Sequence, residues 1–218
     1  IQGVSLTGSV KAGQAVAQLA GKNLKRTVLE LGGSNAFLVF ADADLDKAVK
    51  LAVRGRFGNA GQSCIAAKRF IVHEKIYSEF VNAFALAVMQ LKTGDPSETD
   101  TQLGPMARLD LAEQLEKQVN KSVRKGAELL LGGYRENCFY APTLLGNVTP
   151  GMPAFDEELF GPVAAITKAA SEEEMINFAN HSEYGLGVNL FSENVAYLQK
   201  LIPQFNEGAV FINDVVKS

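Results

Sequence analysis

Asn59-Ala60-Gly61-Gln62-Ser63-Cys64-Ile65-Ala66-Ala67-Lys68-Arg69 joins a run with helical spacing, residues 45–57, to an apolar strand-like run, residues 69–73. This passage from helix through a glycine turn into a strand is one of a series, because helices and strands alternate along most of the 218 residues. The alternation predicts an α/β fold: a layered, largely parallel sheet flanked by helices. The same stretch carries a lone cysteine. A glycine turn can leave backbone N–H groups pointing at an anion, and the small neighbours Ser63, Ala66 and Ala67 leave the sulfur reachable. A nucleophilic thiol needs such access, together with donors for a developing oxyanion. A small buried hydrophobe is the competing reading of a free cysteine.

A second stretch sharpens the first. Val28-Leu29-Glu30-Leu31-Gly32-Gly33 sets a carboxylate in an apolar strand and follows it with two glycines. A charge there costs several kcal/mol unless it is paired, solvated or protonated; a strand-end Glu emerging into water is the bland alternative. Leu6-Thr7-Gly8-Ser9 lies upstream, and Glu157-Glu158-Leu159-Phe160-Gly161-Pro162-Val163 lies downstream. These four blocks, in this order, resemble the active site of the aldehyde dehydrogenase superfamily. The resemblance spans essentially the whole chain.

The resemblance implies a role for each block. Cys64 is the nucleophile, with its own N–H as oxyanion donor, and Glu30 is the general base for the hydrolytic water. Gly8 and Ser9 lie by the cofactor pyrophosphate, with Leu31 also on the cofactor side. Glu158 grips the nicotinamide ribose and Phe160 stands against the nicotinamide. The implied reaction oxidises an aldehyde to the acid, with hydride passing to NAD or NADP, through a cysteine thiohemiacetal and thioester. The blocks Gly61 to Arg69 and Leu103-Gly104-Pro105-Met106-Ala107-Arg108 look closest to bacterial succinate-semialdehyde dehydrogenases. Some of those carry a second cysteine two positions after the nucleophile; Ala66 stands there, which excludes a thiol switch of that kind.

The resemblance also sets expectations for organisation. Residues 1–32 correspond to the C-terminal part of a Rossmann-like dinucleotide-binding domain, and residues 33–218 to a catalytic domain truncated at its C-terminal end. The family's second oxyanion donor, an Asn, and its adenosine-ribose Lys would precede Ile1, and Asn35 does not take the missing role. The chain by itself is expected to fold at least partly and to show no measurable aldehyde oxidation. The parent protein is expected to be a homodimer or homotetramer. Two other readings stand beside this one: a cysteine acyl-transfer enzyme or esterase, and a non-catalytic fragment of the fold. Glu30 argues against the CoA-acylating branch, which does without that carboxylate.

Composition narrows the partners. A hydrophobic content of 47% supports a substantial core, and a net charge of −3 with mixed signs lacks the basic excess of a nucleic-acid surface. No run of eighteen apolar residues exists, so no membrane span is expected. Two cysteines make no disulfide framework, and reduced thiols fit a cytoplasmic setting. Cys138 reads as a loop bystander.

Local signals complete the reading. Asp42, Asp44 and Asp46 could suggest a metal site, but the calcium-loop glycine and terminal glutamate are missing, so Asp44 is read as a helix cap and no metal is expected. Gly21 suits a helix C-cap. Arg54 and Arg56 either complement a helix C-terminus or hold an anionic substrate group. His73 reads as a surface residue, 97–106 as a polar loop, and 109–126 as a helix with a solvated, charge-alternating face.

Overall fold

A computed structural model describes residues 1–216. The chain falls into two compact units, Ile1–Gly33 and the part from Ser34 onward. In the first unit, β1 (Gly3–Thr7) and β2 (Arg26–Glu30) pair in parallel across α1 (Val10–Lys22), in register from Gly3↔Arg26 to Thr7↔Glu30. Ser9 caps α1, its Oγ accepting from the Ala12 amide at 3.3 Å. Gly21 is not the C-cap: the helix runs on to Lys22, Asn23 closes it, and Leu24 takes the left-handed turn. Both strands are largely exposed, Val28 to 61%.

The second unit begins with β3 (Asn35–Val39), α2 (Leu45–Phe57), β4 (Ala67–His73) and α3 (Tyr77–Met89). It continues with α4 (Leu109–Arg124), β5 (Glu128–Leu131) and the short antiparallel pair β6 (Arg135–Glu136) and β7 (Phe139–Tyr140). Then follow β8 (Thr143–Gly146), α5 (Pro153–Asp156), β9 (Val163–Ala169), α6 (Glu172–Asn180), β10 (Val188–Phe191), α7 (Val195–Leu201) and β11 (Val210–Ile212). Among the described residues, seven of these strands form one sheet in the order β11-β10-β3-β4-β9-β8-β5. Every neighbouring pair is parallel except β5 and β8. The fold is therefore α/β with a largely parallel sheet, as the alternation of elements predicts.

The two central strands, β3 and β4, are buried at every position, as parallel strands covered on both faces must be. On one face Phe37, Phe70 and Phe191 pack with Phe80 and Phe84 of α3 and with Ala48 and Ala52 of α2; the Phe37 and Phe191 rings stack at 4.3 Å. On the other face Leu38, Ile71 and Leu190 meet Met175 of α6 and Leu198 of α7. Beside that second layer, Leu145 and Val163 pack with Leu115 and Val119 of α4. Asp44 caps α2 as expected, its carboxylate accepting from the Lys47 amide at 3.0 Å. Among the described residues no helix is long and apolar enough to cross a membrane.

Several local expectations are corrected. His73 is buried, because β9 pairs with the end of β4, and its Nδ1 accepts from the Lys75 amide. The 97–106 loop is not merely polar: Leu103 and Met106 are core residues. α4 is more than a solvated face, since Ala112, Leu115, Gln118, Val119 and Ser122 form its buried stripe.

Candidate active site

The cysteine loop leaves α2 through three consecutive left-handed residues, Asn59 (φ 54°), Ala60 (φ 51°) and Gly61 (φ 71°). Only glycine suits the third position. A Cβ on Gly61 would stand 2.3 Å from the Gly161 carbonyl oxygen and 2.4 Å from Arg56 Nη2. Ala60 holds a conformation that costs an ordinary residue about 1–2 kcal/mol, and such strain persists where the surroundings over-determine it.

Those surroundings are side chains that take the loop's carbonyls almost one by one. Arg56 Nη2 donates to Gly61 O at 2.7 Å, and Asn59 Nδ2 donates to Gln62 O at 3.0 Å. Lys68 Nζ donates to Ser63 O at 2.9 Å and to Cys64 O at 3.1 Å. Asn35 Nδ2 donates to Ile65 O at 3.0 Å, and Arg56 Nη1 to Ala67 O at 3.1 Å. In a planar trans peptide the C=O and the following N–H point opposite ways. Drawing the carbonyls of Ser63 and Cys64 toward Lys68 therefore turns the amides of Cys64 and Ile65 away from it. Among the described residues no acceptor is found for the Cys64 amide, whereas Gln62 donates to Asn59 O and Ala66 to Ser63 O. Cys64 itself is half-buried.

The third block is drawn onto the same cations. Arg56 Nη2 also donates to Gly161 O at 2.6 Å and Leu159 O at 3.3 Å. The Glu158 carboxylate lies 3.2 Å from Lys68 Nζ. Gln118 of α4 donates to Glu157 Oε2 at 2.8 Å and to Glu158 O at 3.2 Å. Glu158 is thus fixed through its backbone carbonyl and through its side chain. Phe160 is half-buried beside it in sequence.

Burial decides the electrostatics. It lowers Arg56, which Glu158 partly offsets. Lys68 is brought down to about 8, first by burial and then by the Arg56 charge, against the pull of Glu158. Arg56 is fully buried with both of its Nη groups on backbone carbonyls, so it neither holds an anionic substrate group nor merely complements a helix end. Arg54, two residues earlier, is exposed.

The remaining predicted residues lie in the first unit. Glu30 closes β2 and is exposed, so its apolar strand does not desolvate it. The Gly8 amide is not left free for an anion: it donates to Glu30 O at 2.9 Å. Ser9 caps α1, and Leu31 is half-buried against Gly13. Cys138, in the turn between β6 and β7, is as half-buried as Cys64, and its carbonyl accepts from the Met106 amide.

Lys68 and Gln118 join the site only in the folded structure. A usable signal existed for both: a cation inside a run that becomes a buried strand, and an amide on the apolar stripe of an amphipathic helix. Asn35, set aside as an oxyanion donor, instead holds the Ile65 carbonyl.

The profile of the aldehyde dehydrogenase family matches residues 1–218. The chain belongs to the aldehyde dehydrogenase family. It is 50% identical, over 216 residues, to a succinate semialdehyde dehydrogenase [NAD(P)+] of Escherichia coli K12, covering 98% of this chain and 47% of that one. A succinic semialdehyde dehydrogenase of Streptococcus pyogenes, solved with NADP+, superposes with a TM-score of 0.95 at 40% identity, over 99% of this chain and 48% of its own. Lactaldehyde dehydrogenase from Escherichia coli superposes as well, with a TM-score of 0.96 at 36% identity, over 100% and 46%. Backbone similarity thus does not distinguish the aldehyde. The chain spans about half the length of the curated relatives it matches.

Proposed function

We propose that this aldehyde dehydrogenase chain carries the nucleophile and the ribose-gripping carboxylate of an enzyme that oxidises succinate semialdehyde to succinate. Residues 1–32 would supply the last part of a dinucleotide-binding domain and the residues from 33 onward the catalytic domain. The observation that carries the reading is the cysteine loop itself: its carbonyls are taken by buried donors, so the Cys64 amide is turned to the side where an oxyanion could accept from it.

The Cys64 thiolate attacks the aldehyde carbon, forming a C–S bond as the carbonyl electron pair moves to oxygen, where the Cys64 N–H donates to it. Glu158 and Phe160 would hold the nicotinamide end of NAD or NADP, which would supply the acceptor for the hydride that the thiohemiacetal carbon releases. Collapse of the oxyanion leaves a thioester on Cys64. Glu30, exposed at the end of β2, takes a proton from water, which attacks the thioester and expels the thiolate. Glu158, held by Lys68 and Gln118, fits a carboxylate that must meet two ribose hydroxyls without reorienting. The succinate semialdehyde assignment draws on the names of the relatives.

Rapid-mixing kinetics on the full-length protein, with succinate semialdehyde and NADP, test the reading. Glu30→Gln should keep a burst of NADPH formation and lose about 10²–10⁴-fold in steady-state turnover, because an amide cannot accept the water's proton. Unchanged turnover would remove Glu30 from the mechanism. A wild-type protein that oxidises no aldehyde would remove the reading altogether.

A further inference from the structure

We infer that Lys68 is a positioning residue that aims the Cys64 backbone and holds the Glu158 carboxylate on the same ammonium, so that nucleophile and cofactor grip are set by one side chain. The inference rests on the proposed roles of Cys64 and Glu158. Its geometric basis is independent of them.

An ammonium has three N–H donors and no acceptor. Lys68 places all three: on Ser63 O at 2.9 Å, on Cys64 O at 3.1 Å and on Glu158 Oε1 at 3.2 Å. The side chain is 1% exposed. A buried cation with its donors fully engaged has no freedom to swing, so the peptide planes on both sides of Cys64 are held in one orientation. The strand is built to put it there. Asn35 pairs with Ala67 and the next residue, Ala36, pairs with Arg69, so Lys68 is the extra residue of a β-bulge. Bulges re-aim a side chain that regular alternation would send elsewhere.

The charge matters as well as the shape. A thiolate at Cys64 and the Lys68 ammonium attract each other, and Arg56 adds a second buried cation against the single carboxylate of Glu158. Lys68 therefore sets its charge behind the loop, while the loop's amides are presented to the other side. Lys68 touches neither substrate nor reacting atoms in this account. It acts through Ser63, Cys64 and Glu158.

The test is iodoacetamide alkylation of the 218-residue chain, followed site by site by peptide mass spectrometry between pH 6 and pH 10. Cys138 is the internal control, because it is equally half-buried and lies in a different turn. Lys68→Met should slow Cys64 at pH 7 by about tenfold, the scale of one lost charge-assisted contact, and leave Cys138 unchanged. Lys68→Arg, which keeps the charge but offers a planar fork to oxygens that converge on a point, should recover part of the rate. The wild-type advantage is present while Lys68 is charged and should shrink as pH rises through about 8, where burial brings its titration. A purely structural role would lower the rate by the same factor at every pH. Should Lys68→Met fail to fold, the pH series on the wild type and on Lys68→Arg, whose guanidinium stays charged, carries the test: the ratio between them must change near pH 8. Equal Cys64 rates in all three proteins, or a pH-independent ratio, would overturn the inference. Failure of the full-length wild-type protein to oxidise any aldehyde would overturn the reading of function while leaving this measurement intact.

Discussion

Lys68 and Arg69 are adjacent residues of one buried strand, yet they serve two different parts of the molecule. Lys68 divides its donors between the cysteine loop and a carboxylate. Arg69 gives its donors to backbone: Nε to Ser34 O at 2.9 Å, Nη1 to Phe178 O at 2.7 Å and Nη2 to Ala179 O at 3.0 Å. Its guanidinium also lies 5.5 Å from the Phe155 ring centroid. Its nearest acid by charge is Glu207, whose Oε2 has no hydrogen-bond partner among the described residues and which burial pushes up to about 7. The difference teaches how one cation orients chemistry and the next supports the fold. A point-like ammonium meets converging oxygens, while a planar fork spans separated carbonyls of the strand entry and α6.

The largest effect should follow removal of the supporting cation. Arg69→Met strands the buried carbonyls of Ser34 and Ala179, leaves the Phe178 carbonyl only its His181 amide, and removes the countercharge of Glu207, which should cost roughly 3–5 kcal/mol. In a domain of this size that lowers the melting temperature by about 10 °C. The ratio of Cys64 to Cys138 alkylation, read below the transition, should stay at the wild-type value. A stable variant with an altered ratio would reverse the division of labour between the two residues.

A smaller loss is expected from the other side of the comparison. Gly61→Ala asks for a left-handed alanine and for a Cβ inside the contact of Arg56 with the Gly161 carbonyl. Urea unfolding should show a loss of roughly 2–4 kcal/mol from strain and overpacking together. Unlike Arg69→Met, this change should also depress Cys64 alkylation, because the start of the loop must shift. A Cys64 rate that survives intact would mean that Arg56 does not set the loop.

The smallest effect belongs to Glu207, and its sign follows from linkage. A carboxyl raised from 4.5 to about 7 holds its proton in the folded protein where the unfolded chain has released it. Stability from this group is therefore greatest at low pH and falls as pH rises from about 4.5 to 7. Glu207→Gln removes that slope. Relative to wild type, the variant should gain about 1 kcal/mol more at pH 8 than at pH 5, a figure kept small because the group is only partly buried. An identical difference in unfolding free energy at both pH values would show that Glu207 titrates normally.

Much of the fold was legible in one dimension because its signals are local. The alternation of helical and strand-like runs reads as a largely parallel sheet flanked by helices, and among the described residues seven strands form one. Asp44 reads as a cap and is one, since an N-cap needs only an amide three residues away. The antiparallel pair β6 and β7 escaped notice because two-residue strands carry no periodicity, and α5 is too short to show a helical stripe.

The sequence by itself determined the α/β class, the order of the four blocks and the cysteine at the centre of the turn, because these depend on residue type and spacing along the chain. The tertiary structure decided which charges are buried and what they hold. Arg56 lies five residues from Gly61 but 103 and 105 from the two carbonyls that it shares with the third block. Arg69 reaches across 109 and 110 residues to α6. His73 is buried by a strand that arrives ninety residues later, whereas Glu30 stays exposed although its own strand is apolar. Burial is a property of what packs against a residue, and a buried cation is tolerable only where oxygens from distant segments converge on it. Sequence spacing carries no record of that convergence.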